Sequence, residues 1–382
     1  MSFTYSFATA SQVIFGNHVV NKVPDLISEY GKSVLIVTGK NRERASALVG
    51  KLAPGTEVDF FSVESEPTTH MISAGIELAR NRKCDVVLAL GGGSVVDAGK
   101  AIAVMATNPG DLLDYLEVIG NGKTLSQKSL PCIAIPTTSG TGAEVTKNSV
   151  IKSPENNVKV SLRSNSMYPA VALVDPTLTY SMSPALTAST GIDAFTHLME
   201  TFVSNQANPF NDMICREGMQ RIARSLQVAF ENGNDEAARA DMSMASLLGG
   251  MALANVKLGA VHGFAGPMGG LYPIPHGTVC ASLMDAVIET NIEALKEKGQ
   301  SISKYDELAE ILTGSELAKA EDAVIWAQNL VEALNIPSLA AFGLTPDDFP
   351  GLVQKAKVAS SMKGNPVELS DEQLTRILEK SL

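Results

Sequence analysis

The first half of the chain alternates short apolar runs with amphipathic segments, and this alternation restricts the fold more than any other feature. The runs are nearly continuous in apolar residues, which is typical of strands buried on both faces of a sheet. They lie at residues 33–38, 57–63, 85–90, 131–137 and 170–175. Helical patterns separate several of them, as in TTHMISAGIELARNR at residues 68–82. Strand–helix–strand repetition predicts an α/β domain with a doubly wound, mostly parallel sheet.

The pattern changes near residue 180, after the segment DPTLTYSMSP. Beyond this point apolar residues recur at helical spacing, and few strand patterns occur. Helices are predicted at residues 185–205, 209–231, 235–257, 278–298, 301–313, 317–335 and 347–361. The length of 382 residues also exceeds the usual size of a single core. We therefore predict an α/β domain over residues 1–180 and an all-α domain over residues 181–382, joined within 176–184.

Composition and charge argue against several kinds of partner. The net charge is −11 and no basic block occurs, so neither nucleic acid nor an anionic membrane is expected as a partner. No apolar run reaches the roughly 18–20 residues that span a bilayer, and the first ten residues lack the pattern of a signal peptide. The four cysteines are far apart and form no C-x-x-C pair. We expect a protein of the reducing cytoplasm.

A glycine-rich turn follows the strand predicted at residues 85–90. It reads GGGS at residues 91–94 and leads into a helical pattern. Glycines let backbone amides approach a ligand closely, and a helix N-terminus adds N–H groups and a positive dipole end. The turn matches neither G-x-G-x-x-G nor G-x-x-x-x-G-K-[ST]. It predicts a phosphate-binding loop or, alternatively, a tight strand–helix turn in which Ser94 is the N-cap.

A second polar loop follows the strand predicted at residues 131–137. Its hydroxyl side chains stand among glycines in the segment PTTSGTG and belong to Thr137, Thr138, Ser139 and Thr141. Ligands of doubly wound sheets bind at the carboxyl ends of the strands, where both polar loops are expected to lie. The two loops together favour a dinucleotide as the ligand.

Three of the five histidines fall in the predicted helical domain, namely His197, His262 and His276. Asp193 and His197 are four residues apart and share one face of a helix. His262 and His276 bracket GFAGPMGGLYPIP, whose glycines and prolines let the backbone fold back and bring both imidazoles to one point. One carboxylate and three imidazoles suit a first-row divalent metal and leave room for an external ligand. Each residue alone is also consistent with a hydrogen-bonded structural role.

Taken together, these segments resemble the iron-containing (group III) alcohol dehydrogenases over nearly the whole chain. The motifs that carry the resemblance are GGGSVVDAGK (91–100), IPTTSGTGAEVT (135–146), VALVDPTLT (171–179), TGIDAFTHLMET (190–201) and GAVHGFAGPMGGLYPIPHG (259–277). VIFG at 13–16 and GNP at 364–366 also match. The resemblance implies hydride transfer between NAD or NADP and a small primary alcohol or aldehyde, with a Lewis-acid metal on the substrate oxygen. It also implies a homo-oligomer, most simply a dimer.

The same resemblance assigns site residues. Asp193, His197, His262 and His276 match the iron ligands, which implies Fe(II), although this donor set also accepts zinc or another divalent metal. No catalytic side chain beyond the metal centre is implied. The positions that match cofactor contacts are Gly39, Gly92, Gly93, Ser94, Asp97, Thr137, Thr138, Thr141, Thr146, Lys159 and Leu178.

Two positions depart from the pattern of the family. Gly39 stands where many NAD-preferring members have Asp, an acid that holds the ribose 2′-hydroxyl and repels a 2′-phosphate. Lys40, Arg42 and Arg44 follow closely, so use of NADP is predicted, unless these cations only solvate the start of a helix. Gly266 stands where many members have a histidine, so a proton-relay role at that position cannot be carried over.

Alternative functions stay open at this stage. A maleylacetate-reductase-like or glycerol-dehydrogenase-like oxidoreductase would share the same architecture. A sugar-phosphate cyclase is disfavoured, because the predicted metal region lacks the Lys/Arg cluster that a phosphorylated substrate needs. A non-catalytic nucleotide-binding protein would show no substrate-dependent turnover of NAD(P)H, which distinguishes it from an enzyme.

Overall fold

The strands of the first half form a parallel six-stranded sheet in the computed structural model, which describes residues 4–156 and 158–382. The strands of this sheet are β1 (Gln12–Phe15), β2 (Ser33–Thr38), β3 (Glu57–Ser62), β4 (Val86–Gly91), β5 (Cys132–Pro136) and β8 (Val171–Val174). They lie in the order β1-β8-β5-β4-β2-β3, and every neighbouring pair is parallel. The predicted parallel sheet is therefore confirmed.

Helices cover both faces of this sheet. They are α1 (Val23–Tyr30), α2 (Glu43–Val49), α3 (Thr69–Asn81) and α4 (Gly93–Thr107). Alternate residues of β2, such as Leu35 and Val37, pack in one apolar core with α3 and α4. Their neighbours Val34 and Ile36 pack in a second core with α1 and α2. Burial on both faces explains why these strands are almost entirely apolar.

Two features of the first half were not predicted. The edge strand β1 has only four residues, none of them fully buried, so its apolar signal is weak. The strands β6 (Asn148–Ser153) and β7 (Val158–Arg163) form a separate antiparallel pair. In β6 buried and less buried residues alternate, which is typical of a strand with one solvated face and differs from the continuous runs of the main sheet.

The second half is helical, as predicted. Its helices are α5 (Pro184–Val203), α6 (Pro209–Glu231), α7 (Glu236–Asn255), α8 (Ala260–Leu271), α9 (His276–Glu297), α10 (Ser303–Thr313), α11 (Ala320–Ala333), α12 (Phe349–Val358) and α13 (Asp371–Lys380). The sequence did not predict α8 or α13. Helix α8 contains Pro267 and several glycines, which disfavour a helix, yet its apolar face is buried through Val261, Phe264 and Met268.

The chain packs as two compact units. One consists of Ala8–Thr138 and Gly142–Thr179, and the other of Tyr180–Leu382, Ser139–Thr141 and the described residues through Phe7. This division departs from the predicted domains (1–180 and 181–382) in two short segments that pack with the helices. The hydroxyl oxygens of Ser139 and Ser243 lie 3.2 Å apart, and the ring centroids of Phe7 and Phe210 lie 4.7 Å apart.

Within the described ranges, no single helix combines the length and the apolar character needed to cross a bilayer. Helices α7 and α8 meet both criteria only as a pair, and that pair is bent by 95°.

Candidate active site

Helix α5 carries the first two residues of the predicted metal site. It begins at Pro184 after Ser183, whose hydroxyl accepts a hydrogen bond from the backbone of Leu186 as an N-cap. One turn apart on its buried face, His197 Nε2 lies 3.6 Å from Asp193 Oδ1. Both side chains are almost completely buried. The helical spacing in the sequence therefore places the two groups side by side.

Helices α8 and α9 bring the other two histidines to the same carboxylate. His262 lies in α8 and His276 is the first residue of α9, and each Nε2 is 3.5 Å from Asp193 Oδ1. The predicted reversal of the backbone occurs in residues 272–275, whereas most of the segment before it is helical. The structure thus brings Asp193 Oδ1 within 3.5–3.6 Å of all three histidines, while the role of these four residues as metal ligands stays a prediction.

A glycine lets α9 begin against α5. A Cβ added at Gly277 would lie only 1.9 Å from the carbonyl oxygen of Ser189 in α5. Because that contact is with the backbone, no side-chain rotation could relieve it. Only glycine permits this approach, and the approach fixes the position of the neighbouring His276.

Asn365 holds the start of α8. Its Oδ1 accepts a hydrogen bond from the backbone N–H of Ala260 (3.1 Å), and its Nδ2 donates to Asn291 Oδ1 (2.7 Å) and to the carbonyl of Val367 (2.8 Å). The side chain is buried. A remote part of the chain, the GNP segment of the sequence, therefore fixes the first turn of the helix that carries His262.

Glu200 orients His262 and was missed from the sequence. Its Oε2 lies 2.7 Å from His262 Nδ1, and its Oε1 accepts a hydrogen bond of 2.6 Å from the backbone N–H of Val261. When Nδ1 donates to this carboxylate, Nε2 keeps its lone pair and faces Asp193. A signal existed in the sequence, because residues 193, 197 and 200 follow the i, i+4, i+7 pattern of one helix face.

Cys280 is the second residue near the cluster that the sequence reasoning missed. It lies one turn after His276 on α9 and is fully buried. Its Sγ is 3.9 Å from Asp193 Oδ1, from His262 Nε2 and from His276 Nε2. The donor atoms of these four residues all lie within 4.8 Å of one another. The i, i+4 spacing of His276 and Cys280 was the available signal.

At Asp193 and His197 the electrostatics of the cluster favour the protonation states that bind metals, whereas at His262 they favour the protonated imidazole. Burial lowers the pKa of His197 to about 3, so this imidazole is neutral near pH 7. Burial would raise the pKa of Asp193, but the surrounding imidazoles lower it overall, so the carboxylate is ionised. Burial would lower the pKa of His262, but Cys280, Asp193 and Glu200 raise it overall. A cation bound here would displace that proton, because metal ligands must be deprotonated.

The chemistry and exposure of the donors fit a divalent metal with an open position. Three imidazole nitrogens and one carboxylate oxygen are ligands that iron and zinc both accept. The side chains of Asp193, His197 and His262 are at most 7% exposed, whereas that of His276 is 44% exposed. The cluster is therefore open to solvent on the side of His276, where an external ligand can reach it.

The glycine turn and the first two residues of the second polar loop, Thr137 and Thr138, lie side by side in the sheet unit, whereas Ser139 and Thr141 pack with the helical unit. Strand β4 ends at Gly91, and the backbone N–H of Thr137 donates a 2.9 Å hydrogen bond to its carbonyl. Gly92 is the N-cap of α4 and offers no side chain, so Ser94 lies inside the first turn and is not the cap that the alternative required. A Cβ on Gly92 would lie 3.5 Å from the methyl group of Thr138. The N-terminus of α4 therefore lies beside Thr138 without a side-chain cap, and an uncapped helix N-terminus suits a phosphate.

Gly39 lies at the same edge of the sheet, directly after β2. Among the described residues, no heavy atom outside the chain neighbours of Gly39 lies within 4 Å of a Cβ placed there, so the position is open. The guanidinium of Arg42 donates two hydrogen bonds, of 2.8 and 2.9 Å, to Ser62 Oγ at the end of β3. Lys40 is exposed, and Arg44 Nη1 donates to the carbonyl of Leu178.

Three of the remaining predicted cofactor residues, Asp97, Thr146 and Lys159, are held by contacts within the protein. Lys100 Nζ, which is buried, lies 3.0 Å from Asp97 Oδ1 and donates a 2.9 Å hydrogen bond to Thr146 Oγ1. Lys159 on β7 forms an ion pair with Glu66. These side chains already have partners, and their assignment to the cofactor stays a prediction, as does that of Gly93, Thr141 and Leu178.

Comparison with known proteins agrees with this architecture. The sequence model of the family "iron-containing alcohol dehydrogenase" matches residues 10–176, and that of its C-terminal family matches residues 187–382. Alcohol dehydrogenase 4 of Saccharomyces cerevisiae is 34% identical over 375 residues, which are 96% of each chain. A crystal structure of 1,3-propanediol oxidoreductase covers both chains completely with a TM-score of 0.91 and 33% identity.

A solved sulfoacetaldehyde reductase from Bifidobacterium kashiwanohense, in complex with NAD+, has a TM-score of 0.90 and 28% identity, and covers 100% of this chain and 99% of its own. Fold, donor cluster and these matches define a metal-dependent alcohol dehydrogenase or aldehyde reductase. The chain belongs to the iron-containing alcohol dehydrogenase family.

Proposed function

We propose that this protein transfers hydride between NADP or NAD and a small primary alcohol or aldehyde, with a divalent metal held by Asp193, His197, His262 and His276. The convergence of three imidazole nitrogens on Asp193 Oδ1, at 3.5–3.6 Å, carries the proposal. Structural histidines rarely share one acceptor in this way, because each needs its own hydrogen-bond partner when buried. Fe(II) is the metal that membership of the family supports, and zinc is the main competitor.

Each group of the chain has a separate task in this proposal. A metal held by Asp193, His197, His262 and His276 would supply Lewis acidity at the substrate oxygen, and a bound nicotinamide would accept or donate the hydride. Glu200 keeps the proton of His262 on Nδ1, so that Nε2 can bind the metal. The exposed side of His276 admits the substrate, while the buried helices around the other donors exclude water.

The proton of the alcohol leaves without help from position 266. Gly266 lies one turn after His262 on α8. In the part of the chain that the structure describes, no heavy atom outside its chain neighbours and its own helix backbone lies within 4 Å of a Cβ placed there. A glycine there cannot relay a proton, so we propose release through water or the cofactor ribose. The open space also supports room for a substrate beside His262.

The cofactor preference follows from Gly39. Without a carboxylate after β2, nothing at this position repels a 2′-phosphate. The space around Gly39 is open, and the Arg42 guanidinium held on Ser62 at the neighbouring strand end is suited to bind phosphate. We therefore propose that NADP is used at least as readily as NAD.

The setting of the enzyme is also part of the proposal. All four cysteines are buried free thiols, which supports a reducing, cytoplasmic environment.

The resemblance to the family supports a homodimer, which light scattering with size-exclusion chromatography would test. A monomer at micromolar concentration would contradict this part.

The experiment that tests the main proposal is a panel of alcohols and aldehydes, assayed with both cofactors after Fe(II) reconstitution. The parent should turn over small primary alcohols. His262→Ala should lose most of its bound metal and nearly all turnover while cofactor still binds. His70→Ala, an exposed histidine that pairs with Glu155, is the matched control and should behave as the parent. Unchanged metal content in His262→Ala would overturn the assignment, and turnover restricted to glycerol or maleylacetate would favour those activities instead.

A further inference from the structure

We propose that Cys280 is a sulfur donor to the metal of this site, which makes the donor set one carboxylate, three imidazoles and one thiolate. This inference rests on the proposed function, because it concerns the same metal. Its basis is that the Sγ atom lies 3.9 Å from each of three predicted ligand atoms, on Asp193, His262 and His276.

These separations are those of atoms that can share one ion. Metal–sulfur bonds of about 2.3 Å and metal–nitrogen bonds of about 2.0–2.1 Å place sulfur and nitrogen roughly 3.1–3.8 Å apart at the angles of about 90–120° in a five-coordinate site. The observed 3.9 Å lies just above the upper end of this range. The oxygen–nitrogen separations around Asp193 are 3.5 Å, within the corresponding range of roughly 2.9–3.6 Å. A small shift of the Cys280 side chain therefore suffices for it to share one ion with His262 and His276.

The surroundings of Cys280 differ from those of a cysteine that only fills a core. Cys215 in α6, an equally buried cysteine of the same unit, bonds with Thr201 Oγ1 and Asn211 Nδ2, each 3.3 Å away. The polar neighbours of Cys280 are all groups of the predicted metal site. Because Cys280 lies one turn after His276, the two side chains project from the same face of α9.

A thiolate donor changes which metal the site prefers. When the metal–sulfur bond forms, the S–H bond breaks and its proton passes to solvent, since only the thiolate binds metals. Sulfur is a soft ligand, so a site that contains a thiolate selects zinc more strongly than a site made only of oxygen and nitrogen ligands. We expect the protein to retain zinc more tightly than a site of Asp and His alone would.

Cobalt(II) gives the direct test, because a thiolate bound to it produces a sulfur-to-metal charge-transfer band in the near ultraviolet. The full-length protein is freed of metal and titrated with Co(II) as parent, Cys280→Ser and Cys215→Ser. Parent and Cys215→Ser should show the band at one equivalent. Cys280→Ser should bind Co(II) without it and should bind Zn(II) about tenfold or more weakly in competition with a chelator.

The outcomes separate this inference from the proposed function. If the parent binds one equivalent of Co(II) without the band, or if Cys280→Ser keeps the band, the Cys280 donor is refuted and the Asp/His site stands. If the parent binds no Co(II), the metal site itself fails and the Cys280 donor with it. Should Cys280→Ser not fold, X-ray absorption of the zinc-loaded parent decides, since a sulfur neighbour at about 2.3 Å is required.

Discussion

Replacement of Glu200 by glutamine tests whether Glu200 prepares His262 for the proposed metal binding. The hydrogen-bond partners of the Glu200 carboxylate are His262 Nδ1 at 2.7 Å, the backbone N–H of Val261 at 2.6 Å and the backbone N–H of His262 at 3.4 Å. Glutamine keeps one acceptor oxygen and turns the other into an NH₂ donor. If that NH₂ group faces His262, Nδ1 must accept, the ring proton moves to Nε2, and Nε2 can no longer bind a metal.

The size of the effect follows from this one hydrogen bond. A buried hydrogen bond to a charged group contributes about 1.5–3 kcal/mol. Because about 1.4 kcal/mol corresponds to a tenfold change in affinity, loss of this bond should weaken metal binding by roughly 10- to 100-fold. The site should still form, since Asp193, His197 and His276 are unchanged.

The assay is competition for Zn(II) between a chromophoric chelator and the metal-free protein, alongside thermal unfolding of the metal-free form. Asp285→Asn is the control, because it neutralises a partly buried carboxylate of α9 whose interaction partners include Gln328 and Glu289. It should leave zinc affinity unchanged. Equal zinc affinity in Glu200→Gln and parent would refute the orientation of His262 by Glu200. A lower Tm with unchanged affinity would assign Glu200 to structure alone.

Three further predictions concern packing, pH and the cofactor. Gly277→Ala should lower the free energy of unfolding by about 1–3 kcal/mol and weaken metal binding, because its Cβ would meet the Ser189 carbonyl oxygen at 1.9 Å. The control is Gly266→Ala, which has open space around its Cβ and should be neutral or slightly stabilising. Urea denaturation measures both variants. Burial raises the pKa of Glu144 from 4.5 to about 7, so its contribution to stability is present below pH 4.5 and is lost as pH rises to about 7. Between pH 4.5 and about pH 8, the free energy of unfolding of Glu144→Gln should therefore rise relative to that of the parent by up to about 3 kcal/mol. A difference that does not change with pH would contradict this reasoning. Gly39→Asp should shift the ratio of kcat/KM for NAD over NADP by about tenfold or more towards NAD, and an unmoved ratio would place Gly39 away from the ribose.

Features that are local in sequence could be predicted well. The strands at 33–38 and 85–90 were found because both faces are buried, which leaves a continuous apolar run that few other structures produce. Asp193 and His197 could be paired because four residues make one helical turn. In each case the physical cause acts within a few residues, so it is visible in the order of the amino acids.

Features that depend on remote contacts were missed or only partly predicted. Helix α8 contains Pro267 and glycines that lower helix propensity, and only its burial against other helices stabilises it. Glu200 is meaningful only because α8, some sixty residues later, places His262 on it. Cys280 looks like one more buried cysteine until three other side chains surround it. Helical spacing indicated both residues, but no local pattern could show what they face.

The hydrogen bonds by which Asn365 holds the start of α8 have a consequence for when the site can form during protein synthesis. The backbone N–H of Ala260 and the side chain that receives it are 105 positions apart, and all four predicted metal donors are translated before that side chain. A nascent chain that has reached residue 300 carries every histidine of the cluster, yet the first turn of α8 is not yet fixed. We therefore expect tight metal binding only after Asn365 has been synthesised, so the ions available to the finished protein should determine which one it carries.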